Sequence, residues 1–103
     1  MDTVTGNFLA LAFEIERLLR VSLIALMGED SPPNLSTHKL VKLLHEKGLL
    51  TDSGVEQIGS IKWLRNMLVH GRGNEVPEYT LNAGIQIASS LYHELSEWIS
   101  DPS

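Results

Sequence analysis

Residues 65 to 72 read Arg-Asn-Met-Leu-Val-His-Gly-Arg, and here the chain concentrates the residue types able to act on a phosphodiester. Arg65 carries a permanent charge on a planar fork that matches a phosphate's oxygens. His70 is the side chain that gives and takes a proton near neutrality. Asn66 stands one helical turn before His70, where its amide can orient the imidazole or bind a phosphate oxygen. RNA brings its own nucleophile, the 2′-hydroxyl. A base to activate it, an acid for the leaving oxygen and a guanidinium on the phosphate suffice to cut the strand without a metal or cofactor. The expected roles are His70 as general acid/base, Arg65 on the transition-state charge and Asn66 as the orienting group.

Spacing limits what a single copy can do. A helix advances about 100° per residue, so Ile58, Ile61, Leu64 and Leu68 form one narrow apolar face, while Lys62, Asn66 and His70 line another. Arg65 lies at the edge of the apolar face, about 140° from His70. One helix therefore does not bring both groups onto one small ligand. Two copies facing each other across a twofold axis do, each lending an arginine to the other's histidine. His70 also falls in the last turn, where the helix dipole and unpaired carbonyls favour the imidazolium. A plainer reading fits the same residues: His70 before Gly71 as a simple helix terminus, and Arg65 paired with Glu14 or Glu16.

The chain has 103 residues, no cysteine and a net charge of −5, which disfavours attraction of nucleic acid to the whole surface. The distribution is more informative. No acidic residue occurs between Gln57 and Asn74, whereas Lys62, Arg65, His70 and Arg72 all do. Such an island suits either a phosphate or the acidic groups of neighbouring helices; for a phosphate, Lys62 and Arg72 are the expected RNA contacts beside the motif. Without cysteine there is neither a disulfide framework nor a thiolate metal site. His38 and His45 share a helix face but lack a third ligand at suitable spacing, so they read as a solvated face. His93 and Glu94 read as surface too. Trp63 lies within about 40° of the Asn66/His70 face, which suits either base stacking or interface packing; Trp98 is a second candidate.

These groups must be positioned by helices. The apolar stretches Val4 to Phe13 and Val21 to Met27 are separated by Glu14, Glu16, Arg17 and Arg20, so no run is long enough to span a bilayer. Asp2 stands where a signal peptide carries a basic residue. A cytoplasmic protein is the expectation, complete in itself or cut from a longer one. A first helix is predicted from about Thr5 to Met27, ended by Gly28, then a break at Pro32-Pro33. A second runs from about Ser36 to Lys47, capped by Ser36 or Thr37 and stopped by Gly48. The third starts near Ser53, which with Glu56 has capping-box spacing, and ends at His70. The fourth starts near Thr80, with Leu81, Ile85, Ala88, Leu91, Leu95 and Trp98 at three- and four-residue steps. No stretch alternates long enough for a strand. The expectation is one all-α domain over residues 1–103, an antiparallel up-down four-helix bundle. The first helix is apolar around most of its circumference, which predicts either a homodimer or a central place in the bundle.

The segment from Ile58 to Gly71, with apolar residues before Arg65-Asn66 and Val69-His70-Gly71 closing it, resembles the motif helix of the HEPN superfamily (higher eukaryotes and prokaryotes nucleotide-binding). The Glu- and Arg-bearing stretch from Glu14 to Arg20 is similar to the first helix of defence-associated members, and Leu40 to Leu50 to their second helix. The resemblance implies a dimeric helical bundle with Arg65, Asn66 and His70 lining a cleft shared by both subunits. It implies a metal-independent ribonuclease acting as a toxin or antiviral effector, with an antitoxin or regulatory partner. Other members serve as non-catalytic dimerisation or partner-binding modules.

Overall fold

In the computed structural model, which describes residues 3–100, the apolar N-terminal segment is one unbroken helix, α1 (Thr3–Met27). Gly28 ends it with a φ of +58°, a left-handed backbone that a side chain would disfavour. One tight turn (Gly28–Asp30) and the two prolines follow. The second helix, α2 (Thr37–Glu46), is capped by Ser36, whose hydroxyl accepts from the Lys39 N–H at 3.3 Å. The third, α3 (Asp52–Val69), starts earlier than the Ser53/Glu56 spacing suggests. Thr51 takes the extended backbone of a cap and its hydroxyl accepts from the Gly54 N–H at 3.1 Å, leaving Ser53 inside the first turn. The fourth, α4 (Glu78–Ser100), also starts ahead of Thr80. The Pro77 carbonyl accepts from the Thr80 and Leu81 N–H groups at 3.0 and 3.2 Å, so the first turn is organised from the proline. No strand occurs among the described residues, and none of their helices is long and apolar enough to cross a membrane.

The core draws Phe8, Ile15, Leu19 and Leu23 from α1, Leu40 and Leu44 from α2, Ile58, Ile61 and Leu64 from α3, and Leu81, Ala88, Leu91 and Leu95 from α4. Helix α1 packs against all three others. Its central place absorbs most of the apolar circumference that made it unusual in sequence. The buried Ser22 hydroxyl is satisfied by the Leu18 carbonyl at 2.7 Å. Phe13 and Ile24 remain 68% and 58% exposed, so a residue of that apolar excess faces solvent.

Neighbouring side chains fix the directions of the helices. Leu64 approaches Gly84, and Gly54 shares a hollow with Leu91 and Leu95, so α3 and α4 are antiparallel. Phe8 meets Gly84, and Tyr92 lies near enough to Arg17 to favour its charged form slightly, so α1 and α4 run parallel. Strict up-down alternation would have made them antiparallel. The difference arises at α2. Arg20 donates to the Leu35 carbonyl at 2.9 Å and the Thr37 hydroxyl to the Glu16 carboxylate at 2.7 Å. The connection therefore doubles back along α1 by roughly 16 Å, at a 1.5 Å rise per residue, before α2 begins. A short helix starting there does not reverse the chain as a full-length one would.

Candidate functional site

Helix α3 presents the motif, and its end is built to hold His70 in place. The His70 N–H donates to the Asn66 carbonyl at 3.0 Å, that of Gly71 to Leu68 at 3.4 Å and that of Arg72 to Met67 at 2.9 Å. The crossed pair from Gly71 and Arg72 is the Schellman arrangement, which needs the left-handed backbone Gly71 supplies at φ +78°. His70 is thus the terminal residue by its backbone. Its imidazole is not used in the termination: the side chain is exposed and makes no hydrogen bond or ion pair among the described residues. The same holds for Lys62, Asn66 and Arg72.

Arg65 is exposed as well, and neither carboxylate proposed as its partner is in contact with it. Glu14 pairs with Arg17 at 2.9 Å. Glu16 accepts from the Thr37 hydroxyl at 2.7 Å and pairs with Arg20 at 3.3 Å. The Thr37 hydrogen bond is the main cause holding the Glu16 carboxyl below its ordinary range; partial burial opposes it, and Arg20 and the more distant Arg65 reinforce it. The charge of Arg65 therefore reaches toward the α1 side of α3 without being neutralised by a contact pair.

Gly59, Trp63, Asn66 and His70 follow one another at steps of four, three and four. At 100° per residue they fall within about 60° of one another, on the side of α3 opposite its core face. All four are exposed. Arg65 flanks this stripe toward α1, and Trp63 borders a groove toward α4 of about 640 Å³. The groove is a feature that the sequence reading missed. The 4-3-4 spacing signals the stripe, but the groove depends on how closely α4 approaches α3. Arg65 and His70 are thus presented on different flanks of one helix, as the spacing requires. The structure does not bring them together within one copy.

The remaining titratable pairs lie apart from the motif. His45, in the last turn of α2, meets Asp52 in the first turn of α3 at 2.7 Å. That contact is roughly 27 Å along α3 from His70. His93 pairs with Glu97 at 3.0 Å on the exposed side of α4. Trp98 borders a small hollow with Leu49 and Leu50, at the end of α4 opposite the motif.

What the arrangement offers is a line of unpartnered polar groups, amide then imidazole, with uncommitted cations beside it and an apolar recess on its other flank. No known protein family matches the chain, nor does any curated protein or solved structure.

Proposed function

We propose that this chain is a HEPN-like RNA-cleaving domain acting as a homodimer, with Arg65, Asn66 and His70 of both copies at a shared site. One observation carries the reading. Among the described residues, the side chains of Asn66, His70, Lys62 and Arg72 are exposed and make no hydrogen bond or ion pair, and Arg65 has no contact ion pair, because Glu14 and Glu16 are taken by Arg17 and Arg20. Unpaired groups of complementary chemistry on one helix end are available to a phosphodiester.

In the proposed reaction one His70 takes the proton of the 2′-hydroxyl as the 2′-oxygen attacks phosphorus. The bond from phosphorus to the 5′-oxygen breaks, and the second copy's His70 gives that oxygen its proton. The products are a 2′,3′-cyclic phosphate and a free 5′-hydroxyl. Arg65 holds the added charge on the phosphoryl oxygens, Asn66 orients, and Lys62 and Arg72 hold the flanking phosphates. None of these steps draws on a metal ion or an organic cofactor. A toxin or antiviral-defence role in the cytoplasm, restrained by an antitoxin or regulatory partner, belongs to the same proposal.

The test is cleavage of a mixed-sequence RNA by the purified wild type and by His70→Ala. The expected loss is about 10²- to 10⁴-fold, the range for a general acid/base, with the dimer and the melting curve retained. Equal cleavage by both proteins would end the catalytic reading. A second reading, a non-catalytic interaction module, is favoured by the exposure of Phe13 and Ile24 on α1. It predicts no cleavage by the wild type and no growth arrest on expression that Arg65→Ala relieves.

A further inference from the structure

The groove between α3 and α4 is walled by Gly59, Ser60 and Trp63 on one side and by Thr80, Ala83 and Ile87 on the other, with Glu56 among its lining residues. The geometry points to this groove as a nucleobase-binding site, in which one base of single-stranded RNA stacks on Trp63 and its amino edge is read by Glu56. The choice of ligand rests on the RNA reading above.

Three observations converge on a base. Trp63 is 55% exposed beside an apolar recess, and a flat π-system is the surface on which bases of any kind stack. Gly59, one turn earlier on the same stripe, has nothing within 4 Å of where a Cβ would stand. The wall next to the indole is therefore open, where alanine would narrow it. The cations suit a strand whose phosphates lie away from the recess: Lys62 and Arg65 stand about 100° and 160° from Trp63 around the helix, and no carboxylate follows Glu56 on α3. Trp63 precedes Asn66 and His70 by about 4.5 and 10.5 Å along the axis. That places the base one nucleotide from the phosphate that meets the motif.

Glu56 is the only acid among the residues bordering the groove. A carboxylate repels the phosphates, which are left to the cationic side, but it accepts from an exocyclic amine as acidic side chains do from cytosine N4. Uracil has no such donor. The site is therefore expected to favour adenine, cytosine and guanine over uracil by about tenfold, the worth of one exposed charge-assisted hydrogen bond.

The experiment uses Trp98→Phe protein, in which Trp63 is the one remaining indole, titrated with hexanucleotides of adenosine, cytidine and uridine at low salt. Saturable quenching of Trp63, with adenosine and cytidine ahead of uridine, is expected. Trp63→Ala in the wild-type background should weaken binding, read by anisotropy of a labelled hexanucleotide, by about 5- to 150-fold, the range for one lost stack. Glu56→Gln should keep binding and erase the preference against uridine. Gly59→Ala should weaken binding while raising the melting temperature, a combination that a merely structural role would not give. Binding without quenching or without loss in Trp63→Ala would overturn the base site and leave RNA binding standing. No hexanucleotide binding at all would overturn the RNA reading along with it. A Trp63→Ala variant that dissociates the dimer would reassign the groove as a contact between copies and overturn the proposal. Quenching without any RNA cleavage would uphold the base site and end the nuclease reading alone.

Discussion

Two glycines inside helices separate the part of this molecule that is closely packed from the part that is open. Gly84 sits on α4 where a Cβ would lie 2.5 Å from a Leu64 methyl and 3.3 Å from the Phe8 ring. Both neighbours are fixed: Leu64 is 2% exposed and Phe8 is 0%. Gly59 on α3 has nothing within 4 Å. Replacing either by alanine gains about 1 kcal/mol of helix propensity. At Gly59 that gain stands alone. At Gly84 it is opposed by forcing a methyl into a filled core, which costs about 1–3 kcal/mol. Gly59→Ala is thus expected to be more stable than wild type, Gly84→Ala no more stable and up to about 2 kcal/mol less so. The two variants should melt at least about 4 °C apart in a domain of this size. Circular dichroism melts and urea titrations measure it, and equal m-values would show that the unfolded state has not changed. A Gly84→Ala protein as stable as Gly59→Ala would refute the close approach of α4 to α1 and α3, and with it the groove's far wall.

Two further perturbations probe the flank facing α1. The Glu16 carboxyl ionises below its ordinary range, chiefly through the Thr37 hydroxyl. Its ionised form therefore stabilises the fold above about pH 4.3, the ordinary glutamate value, and that contribution is lost as the pH falls through the lower folded value. The stability advantage of wild type over Glu16→Gln should shrink on acidification through that window; a gap unchanged by acid in melting curves would show that Glu16 is not held by these contacts. Phe13 shares the Glu16/Arg20 face of α1 and is 68% exposed. Phe13→Asp should leave the monomer's melting curve within about 0.5 kcal/mol of wild type, as surface changes do. Under the proposed dimeric reading it should also abolish the dimer in sedimentation equilibrium and RNA cleavage with it; an intact dimer would place the subunit contact elsewhere.

Local features of the fold were legible because their causes are local. Gly28, Gly48 and Gly71 all adopt the left-handed backbone expected of helix stops. Of the α4 residues expected on one face, Leu81, Ala88, Leu91 and Leu95 are buried, Ile85 is half-buried, and Trp98, near the helix end, is exposed. The start of α3 was misplaced because two hydroxyls, Thr51 and Ser53, compete at the same corner, and backbone geometry decides which becomes the cap. The course of α2 was not legible. It is fixed by Arg20 to Leu35 and Thr37 to Glu16, contacts between residues distant in sequence that no periodicity encodes. The state of Arg65 was hidden for a related reason. Glu16 had two arginines within reach, and the one a helical turn away, Arg20, takes the contact. That outcome leaves the motif arginine without a contact partner, the condition for its meeting a phosphate.

Under the proposed RNA-cleaving reading, the two flanks of α3 answer different requirements of one substrate. Toward α1 lie Arg65, the Glu16 cluster and exposed Phe13 and Ile24: a charged and apolar surface suited to a second copy. Toward α4 lies the recess beside Trp63, with Asn66 and His70 on the crest between them. A second copy seated on the α1 flank would carry its own arginine toward the crest and leave the recess open. A strand threading such a dimer would meet phosphate-binding groups at the twofold and a base-sized slot just outside it on either side. Because Arg65 and His70 are about 140° apart around the helix, neither flank alone assembles arginine and histidine on one phosphate. Dimerisation and catalysis should consequently fail together in flank variants toward α1, whereas variants toward α4 should alter base preference while the dimer persists.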